Sequence, residues 1–453
     1  MRNKLNSSTT LKRSRIWQLF SLATAQGTFT RNIGSTYALL VGSVVLSLAL
    51  SILLARLLGP VGFGDYAYAL NWVLVLSTLA ALGMDKLAVR NAAAYSSEGQ
   101  WSLLRGLVRW ATIRVLLFSI LVIAITILVR SLMTGEFTSS TTVTLAVAVL
   151  LIPILTLAQV HQGVLRGLDY IVQGLFADMI VRPLVFMIFL LGGLFAVGEM
   201  TAPWAMFLHF AAAALSLGLI FYLVIRYVRP KVLHFEPEYA SRLWWTITIP
   251  FLVSASLESL NQRVSILMLG SMLDTEAAGI YNVAKRLAEP TIFVLIAVTA
   301  VLGPRVAGLY AKREHDELQS IVTKSSRIIL AASLPIALVI IILGPWLLLL
   351  WGPEFRAGYT ASVILIAGQI VNSAVGPVAL LLNMTNHERE VVIGLAISTI
   401  AVIILNYILI PRYGVNGAAV ASTASLIIWN IFLAVLVRKR LGIDSTIAGR
   451  QPR

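Results

Sequence analysis

Long apolar runs separated by short polar breaks dominate this chain. A helix that crosses a hydrocarbon layer needs about 20 mostly apolar residues. Runs of that length predict spans at roughly 33–55, 65–83, 108–129, 141–161, 178–197 and 203–225. After a polar break, six more follow at roughly 246–269, 278–302, 328–350, 359–383, 391–410 and 415–437. The pattern predicts an all-α integral membrane protein with 12 transmembrane helices. It divides into a tail at 1–32, a six-helix bundle at 33–225, a linker at 226–245, a second six-helix bundle at 246–437 and a tail at 438–453. The apolar runs are continuous and do not alternate, which excludes an outer-membrane barrel. No polar break is long enough to hold a soluble domain, so the chemistry is expected within the membrane.

Composition supports this reading. Hydrophobic residues make up 58% of the 453 positions and charged residues only 12%, against about 25% charged in ordinary soluble proteins. Such a chain is not a cytosolic enzyme, a secreted disulfide scaffold or a disordered protein. It has no cysteine, so it has no disulfide, thiolate metal site or cysteine nucleophile. The net charge is +15. With the N-terminus placed in the cytoplasm, 26 of the 35 basic residues fall on the cytoplasmic side and 4 on the other, namely Arg56, Arg130, Arg356 and Arg412. That asymmetry predicts both termini to be cytoplasmic. It assigns the basic charge to topology and anionic headgroups rather than to nucleic acid. No cleavable signal peptide is visible. The segment 15–22 reads either as a short interfacial helix or as plain tail.

The two halves echo each other. Gly64-Asp-Tyr66 follows the first span and Gly279-Ile-Tyr281 the seventh, 215 residues later. Leu82-Gly83 and Leu302-Gly303 close the second and eighth spans at an offset of 220. Leu165-Arg166-Gly167 and Leu382-Asn383-Met384 close the fourth and tenth at an offset of 217. Six spans is an even number, so the repeats run parallel. Parallel repeats around a central site are a transporter architecture.

The run Ala55-Arg56-Leu57-Leu58-Gly59-Pro60-Val61-Gly62-Phe63-Gly64-Asp65-Tyr66 resembles the signature of polysaccharide-transport flippases, the Wzx-like branch of the MOP (MATE-like) superfamily. Similar matches occur at Asn261 to Gly270, at Gly352-Pro353-Glu354-Phe355, at Gly376-Pro377 and at Tyr413 to Ala418. The resemblance covers roughly 30–440. It implies a MATE-like pair of parallel bundles in a bacterial inner membrane. It implies transport of undecaprenyl-pyrophosphate-linked oligosaccharide from the cytoplasmic to the periplasmic leaflet, without covalent chemistry. It also implies a polysaccharide polymerase and a chain-length regulator as partners. The chain departs from the pattern at Ser265, where many relatives carry Asp, which leaves the coupling ion open between H⁺ and Na⁺.

Charged residues inside a bilayer are costly and so are functional candidates. Ser254, Glu258, Asn261 and Ser265 lie on one face of the seventh span, with Arg263 further round the same helix. Asn282, Lys285, Arg286 and Glu289 form a stripe on the eighth. One reading is a cationic site for pyrophosphate or acidic sugar, since guanidinium donors match phosphate oxygens. The other is an internal salt-bridge network joining Glu258 to Arg263 or Lys285, and Lys285 to Glu289. Arg31 and Arg56 either line the cavity mouth or anchor the helix by snorkelling. Arg114 and Arg182 are expected to snorkel. Asp85 and Arg90 form an inner-gate pair or lie in a solvated loop. Pro60, Pro250, Pro290 and Pro377 are hinge candidates or static kinks. His161 and His209 read as isolated core or interface residues. Trp101, Trp244, Trp245 and Trp351, near span ends, read as interfacial anchors.

The chain contains no phosphate-loop motif and no His-Glu-x-x-His, so no ATPase or zinc protease is built in. An ion-coupled multidrug exporter of the same fold is a rival reading, although a cationic site suits it poorly. A polymerase or ligase would need a sizeable loop. A non-transporting scaffold for polysaccharide assembly is a third.

Overall fold

The computed structural model describes the backbone of residues 7–133 and 139–449, with side chains outside 1–38, 130, 133–138, 196–197 and 450–453. Among the described residues there is no β-strand. The helices are, in order, α1 (Ser7–Ala81), α2 (Met84–Ser97), α3 (Trp101–Met133), α4 (Ser140–Val149) and α5 (Leu151–Gly167). Next come α6 (Ile171–Phe176), α7 (Arg182–Val197), α8 (Ala202–Tyr227), α9 (Arg229–Val232) and α10 (Ser241–Met272). The chain continues with α11 (Thr275–Ala288), α12 (Phe293–Lys312), α13 (His315–Leu348), α14 (Tyr359–Val375), α15 (Val378–Met384) and α16 (Glu388–Leu441). Among the described residues, ten stretches are long and apolar enough to cross a membrane, as expected of a multi-pass membrane protein.

Two of those stretches are bent. Within the 43-residue run Leu39–Ala81, Gly59 adopts φ 65, ψ 179 and Pro60 starts the next helical segment. Within α16, 54 residues long, Gly414 adopts φ 55, ψ −131. Positive φ suits glycine, which has no Cβ to clash, and proline is well placed in a helix's first turn. The polar Asp65 is 3% exposed. It accepts hydrogen bonds from Ser140 Oγ at 2.9 Å and Thr141 Oγ1 at 2.7 Å, which offset its burial.

The helices before and after the linker pack as two sets. In the first, α5 packs on α2, α3 and α8, and α4 and α7 pack on α8. In the second, α16 packs on α10, α14 and α15, and α13 packs on α12 and α14. They meet along α1, which lies on α10 and α11. The crossing is close because glycines face it. A Cβ on Gly64 would lie 1.9 Å from the Thr275 carbonyl oxygen, and one on Gly279 would lie 2.9 Å from the Gly64 Cα.

Helix α10 belongs to both sets. Near its start, Trp244 is fully buried among Tyr95, Trp110 and Leu104, and its indole donates to the Tyr95 hydroxyl at 2.9 Å. Further along, Ile266 and Leu269 join a cluster with Tyr281 and Ile410. Trp244 is thus a core anchor rather than an interfacial one. Trp351 is also buried, at 2% exposed. Proximity to a span end did not reveal that each ring has a helix, not lipid, beside it. Beyond α16 the chain folds back. Ile443 and Ser445 are buried, and the Ser445 carbonyl accepts from Ser326 Oγ at 2.7 Å.

Candidate functional site between the two helix sets

A cavity of about 480 Å³ lies where α1, α7, α10 and α11 converge. Its basic lining residues are Arg182, Arg263, Lys285 and Arg286, and its acidic ones are Asp178 and Glu289. The cations outnumber the acids by four to two. Local folding explains each placement. Lys285 and Arg286 occupy the last turn of α11, where the negative end of the helix dipole favours cations. Glu289 and Pro290 start a 3₁₀ turn, Glu289–Ile292, where the missing proline N–H interrupts the α-helical ladder. Asp178 sits in a π-helical turn, Ala177–Val181. The wider turn leaves it 3.0 Å from Arg182, one ion pair four residues apart.

Two of the four cations, Arg263 and Lys285, are held by neutral oxygens. Arg263 Nη1 donates to the Ser259 carbonyl and to Ser259 Oγ, both at 3.2 Å. Lys285 Nζ donates to the Gln262 carbonyl at 2.6 Å. Among the described residues the ion pairs are Arg182–Asp178 and Arg440–Glu390. Among the described residues no ion pair within 4 Å joins Glu258 to Arg263 or Lys285, or Lys285 to Glu289, although Glu258 acts on Arg263 and Glu289 on Lys285 at longer range. The positive charge is left turned toward the cavity, where a multivalent anion can meet several donors together.

Contacts between α1 and the segment after α13 cluster at one end of the cavity. Trp351 Nε1 donates to Ser51 Oγ at 3.1 Å, and Phe63 meets Phe355 edge to face with centroids 5.7 Å apart. Arg56 Nε donates to the Leu350 carbonyl at 2.8 Å, and its Nη2 to the Leu349 carbonyl. Toward the other end, a cavity of about 240 Å³ continues past Gln262 and Arg263 to Gly83, Asp85 and Lys86. A third cavity, about 420 Å³, opens sideways into the second helix set. Gln262 lines all three.

The structure brings together Arg263, Lys285, Arg286 and Glu289. Glu258 and Asn261 line the sideways cavity, together with Lys285 and Glu289. Asn261 donates to Ser398 Oγ at 3.0 Å. Arg56 does not line the central cavity; it clasps α1 to the end of α13, because backbone carbonyls are free there. The Arg31 side chain lies outside the described residues. Asp85 lines the opening, but Arg90, one and a half turns along α2, is exposed and forms no ion pair with it. Pro60, Pro290 and Pro377 stand at real interruptions, the last between α14 and α15. Pro250 lies inside α10, which continues through it.

Two residues gain roles that the sequence did not suggest. Arg182 faces the cavity rather than snorkelling; the pair Asp178 and Arg182, spaced i,i+4 inside an apolar run, is the signal that marks it. His209 lines the cavity too. Its Nδ1 lies 2.8 Å from the Tyr66 hydroxyl, and its ring stacks on Phe186 with centroids 4.7 Å apart. Among the described residues no cluster of histidine and acidic side chains could hold a metal ion.

The profile of the family described as "Polysaccharide biosynthesis protein" matches residues 29–310, and the MatE profile matches residues 250–411. Two curated relatives come from Haloferax volcanii. The chain is 25% identical over 163 residues to "Probable low-salt glycan biosynthesis flippase Agl15", and 26% identical over 169 residues to "Probable flippase AglR". The matches cover 36% of this chain in each case, and 34% and 35% of the relatives' own lengths. Among solved structures, an inward-facing MATE family multidrug resistance transporter of the MOP superfamily superposes with TM-score 0.73 at 14% identity, over 88% of this chain and 94% of that one. The lipid II flippase MurJ, in an inward closed conformation, gives TM-score 0.71 at 15% identity, over 89% of this chain and 87% of that one. These likenesses establish a MATE-like fold. The sequence match spans more than half of the chain, and the protein belongs to the polysaccharide biosynthesis protein family.

Proposed function

We propose that this protein flips a prenyl-pyrophosphate-linked oligosaccharide, undecaprenyl in a bacterial inner membrane, from the cytoplasmic to the outer leaflet by alternating access. The observation that carries the proposal is the excess of cations, four against two, in a cavity that shares Gln262 and Arg263 with a second one reaching Asp85. A charged, hydroxylated headgroup cannot cross hydrocarbon unaided, because its polar groups would lose their hydrogen bonds to water. Arg182, Arg263, Lys285 and Arg286 replace that water around the pyrophosphate, while the prenyl chain stays in lipid. No bond is made or broken.

The topology that fits this role has twelve spans, since the breaks at Gly59 and Gly414 divide two long stretches. The basic bias of the loops puts both termini and the Asp85 end in the cytoplasm. The cavity then faces the leaflet in which such lipids are assembled. Rocking of the two helix sets about the α1–α11 crossing would expose it to the other side. An H⁺ or Na⁺ gradient would drive the cycle, and a polysaccharide polymerase and a chain-length regulator would act on the product.

The test is selective stabilisation. The purified protein, in nanodiscs, is titrated with undecaprenyl pyrophosphate and separately with a lipophilic cation such as rhodamine 6G. The proposal expects the pyrophosphate lipid to raise the melting temperature, with the effect weakened in Arg263→Ala and Arg286→Ala. Stabilisation by the cation alone would instead favour a multidrug exporter of the same fold.

A further inference from the structure

The cationic cavity does not account for the sideways one. This third cavity, of about 420 Å³, lies within the second helix set. Its lining includes Asn261, Gln369, Ser398, Ser422, Ser425 and Trp429, with Glu258, Glu289 and Lys285 as its charged members. Lys285 and Glu289 also line the cationic cavity. The two spaces therefore adjoin, one rich in cations and one mostly uncharged and hydroxylated.

Such a wall has a definite chemistry. A serine hydroxyl both donates and accepts, and an asparagine or glutamine side chain does the same. A sugar offers matching donors and acceptors around its rim and C–H groups on its faces, which suit an aromatic ring. A pyrophosphate would find only Lys285 here, against two carboxylates, Glu258 and Glu289. The hydroxyls are already aligned. Asn261 donates to Ser398 Oγ at 3.0 Å, Ser398 and Ser425 lie 2.7 Å apart, and Tyr281 meets Ser422 at 2.7 Å. Polar groups aligned in this way need little reorganisation to bind. The volume lies within the range of small-ligand sites.

We infer that this hydroxyl- and amide-lined cavity is a glycan compartment, which takes the first sugars of the lipid-linked substrate while the adjoining cations hold its pyrophosphate. The inference rests on the flippase reading above. Sugars joined directly to the pyrophosphate would pass across the shared boundary at Gln262, Lys285 and Glu289. The compartment would make the transporter favour a loaded carrier over a bare one, so spent prenyl pyrophosphate would not compete on equal terms.

The experiment compares two probes on the full-length protein in nanodiscs: undecaprenyl pyrophosphate and the same lipid carrying N-acetylglucosamine. Binding of each is measured for the wild type, Trp429→Ala, Gln369→Leu and Arg263→Ala. The wild type is expected to bind the glycosylated lipid roughly tenfold more tightly, a preference that polar pairing can supply. Trp429→Ala and Gln369→Leu should erase the preference and leave bare-lipid affinity unchanged. Arg263→Ala should weaken both lipids together. Equal wild-type affinity for the two probes, or a preference that survives in both compartment variants, would overturn the glycan compartment and leave the flippase reading standing. Binding of neither lipid to the wild type would overturn both. A role only in holding helices together would lower thermal stability in the variants and leave the ratio of affinities untouched.

Discussion

Gly64 of α1 and Gly279 of α11 meet backbone to backbone, so close that a Cβ on Gly279 would lie 2.9 Å from the Gly64 Cα. The two glycines occupy corresponding places in the two halves of the sequence, each two residues before a tyrosine. The tyrosines diverge: Tyr66 pairs with His209, and Tyr281 with Ser422. The repeat thus supplies the crossing on which the two halves bear, and each half builds its own polar interior beside it.

The first prediction concerns that crossing. Gly64→Ala places a methyl group against the Thr275 backbone, which cannot yield as a flexible side chain would. The helices must separate, at a cost of about 1–3 kcal/mol. Gly192→Ala, where nothing lies within 4 Å, should stay within about 0.5 kcal/mol of the wild type. Thermal melts of the two variants side by side test this. Equal melting temperatures would show that the crossing tolerates a side chain.

The contacts of Trp351 with Ser51 and of Arg56 with the residues just past α13 should hold their end of the cavity shut. The chain has no cysteine, so a single Leu54→Cys reports on its own surroundings. Leu54 is 3% exposed. A membrane-impermeant maleimide added from the Arg56 side should label it slowly. Adding Arg56→Ala or Trp351→Phe should speed labelling several-fold. Unchanged rates would place closure elsewhere.

Arg182 is held 3.0 Å from Asp178, and the pair makes opposite predictions for its members. Removing the cation with Arg182→Ala should weaken undecaprenyl pyrophosphate binding by about 2 kcal/mol. Asp178→Asn removes a competing carboxylate and should tighten it. Both effects should shrink as salt rises, because screening weakens charge attraction. Weakening by both variants to the same degree would mean that the pair serves only to hold α7 in place.

Trp244 offers a test of the core. Trp244→Phe keeps most of the ring but loses the bond to Tyr95, at a cost of about 1 kcal/mol. Trp244→Ala leaves a cavity where α10 enters the first helix set and should cost about 3–5 kcal/mol. Chemical denaturation in detergent separates these values. A loss below about 1 kcal/mol in the alanine variant would contradict the anchoring role.

Much of the fold was legible in the sequence because lipid demands long apolar runs, and those runs can be read directly. The grouping of Arg263, Lys285 and Arg286 was legible for the same reason, since a cation in such a run stands out. What the sequence does not carry is lateral direction. Arg56 and Arg182 both sit near span ends, yet one bonds carbonyls of α13 and the other lines the cavity. Trp244 and Trp351 lie where interfacial anchors lie, but face protein. Helix periodicity tells which residues share a face, and only packing tells what that face meets. The sideways cavity was hidden for a further reason. Asn261, Gln369, Ser398 and Trp429 come from three helices far apart in the chain, and neutral polar residues raise no signal individually.

The central claim is movement of a pyrophosphate-linked glycan through the cationic cavity. The most direct measurement reconstitutes the protein in liposomes with fluorescent undecaprenyl-pyrophosphate oligosaccharide and quenches the outward headgroups with an impermeant reductant. Wild-type protein should expose the inner pool, with or without an imposed H⁺ or Na⁺ gradient to drive it, and Arg263→Ala and Arg286→Ala at equal folded abundance should lose most of that activity. A protected inner pool in wild-type liposomes under every gradient, or full activity in both variants, would contradict that claim.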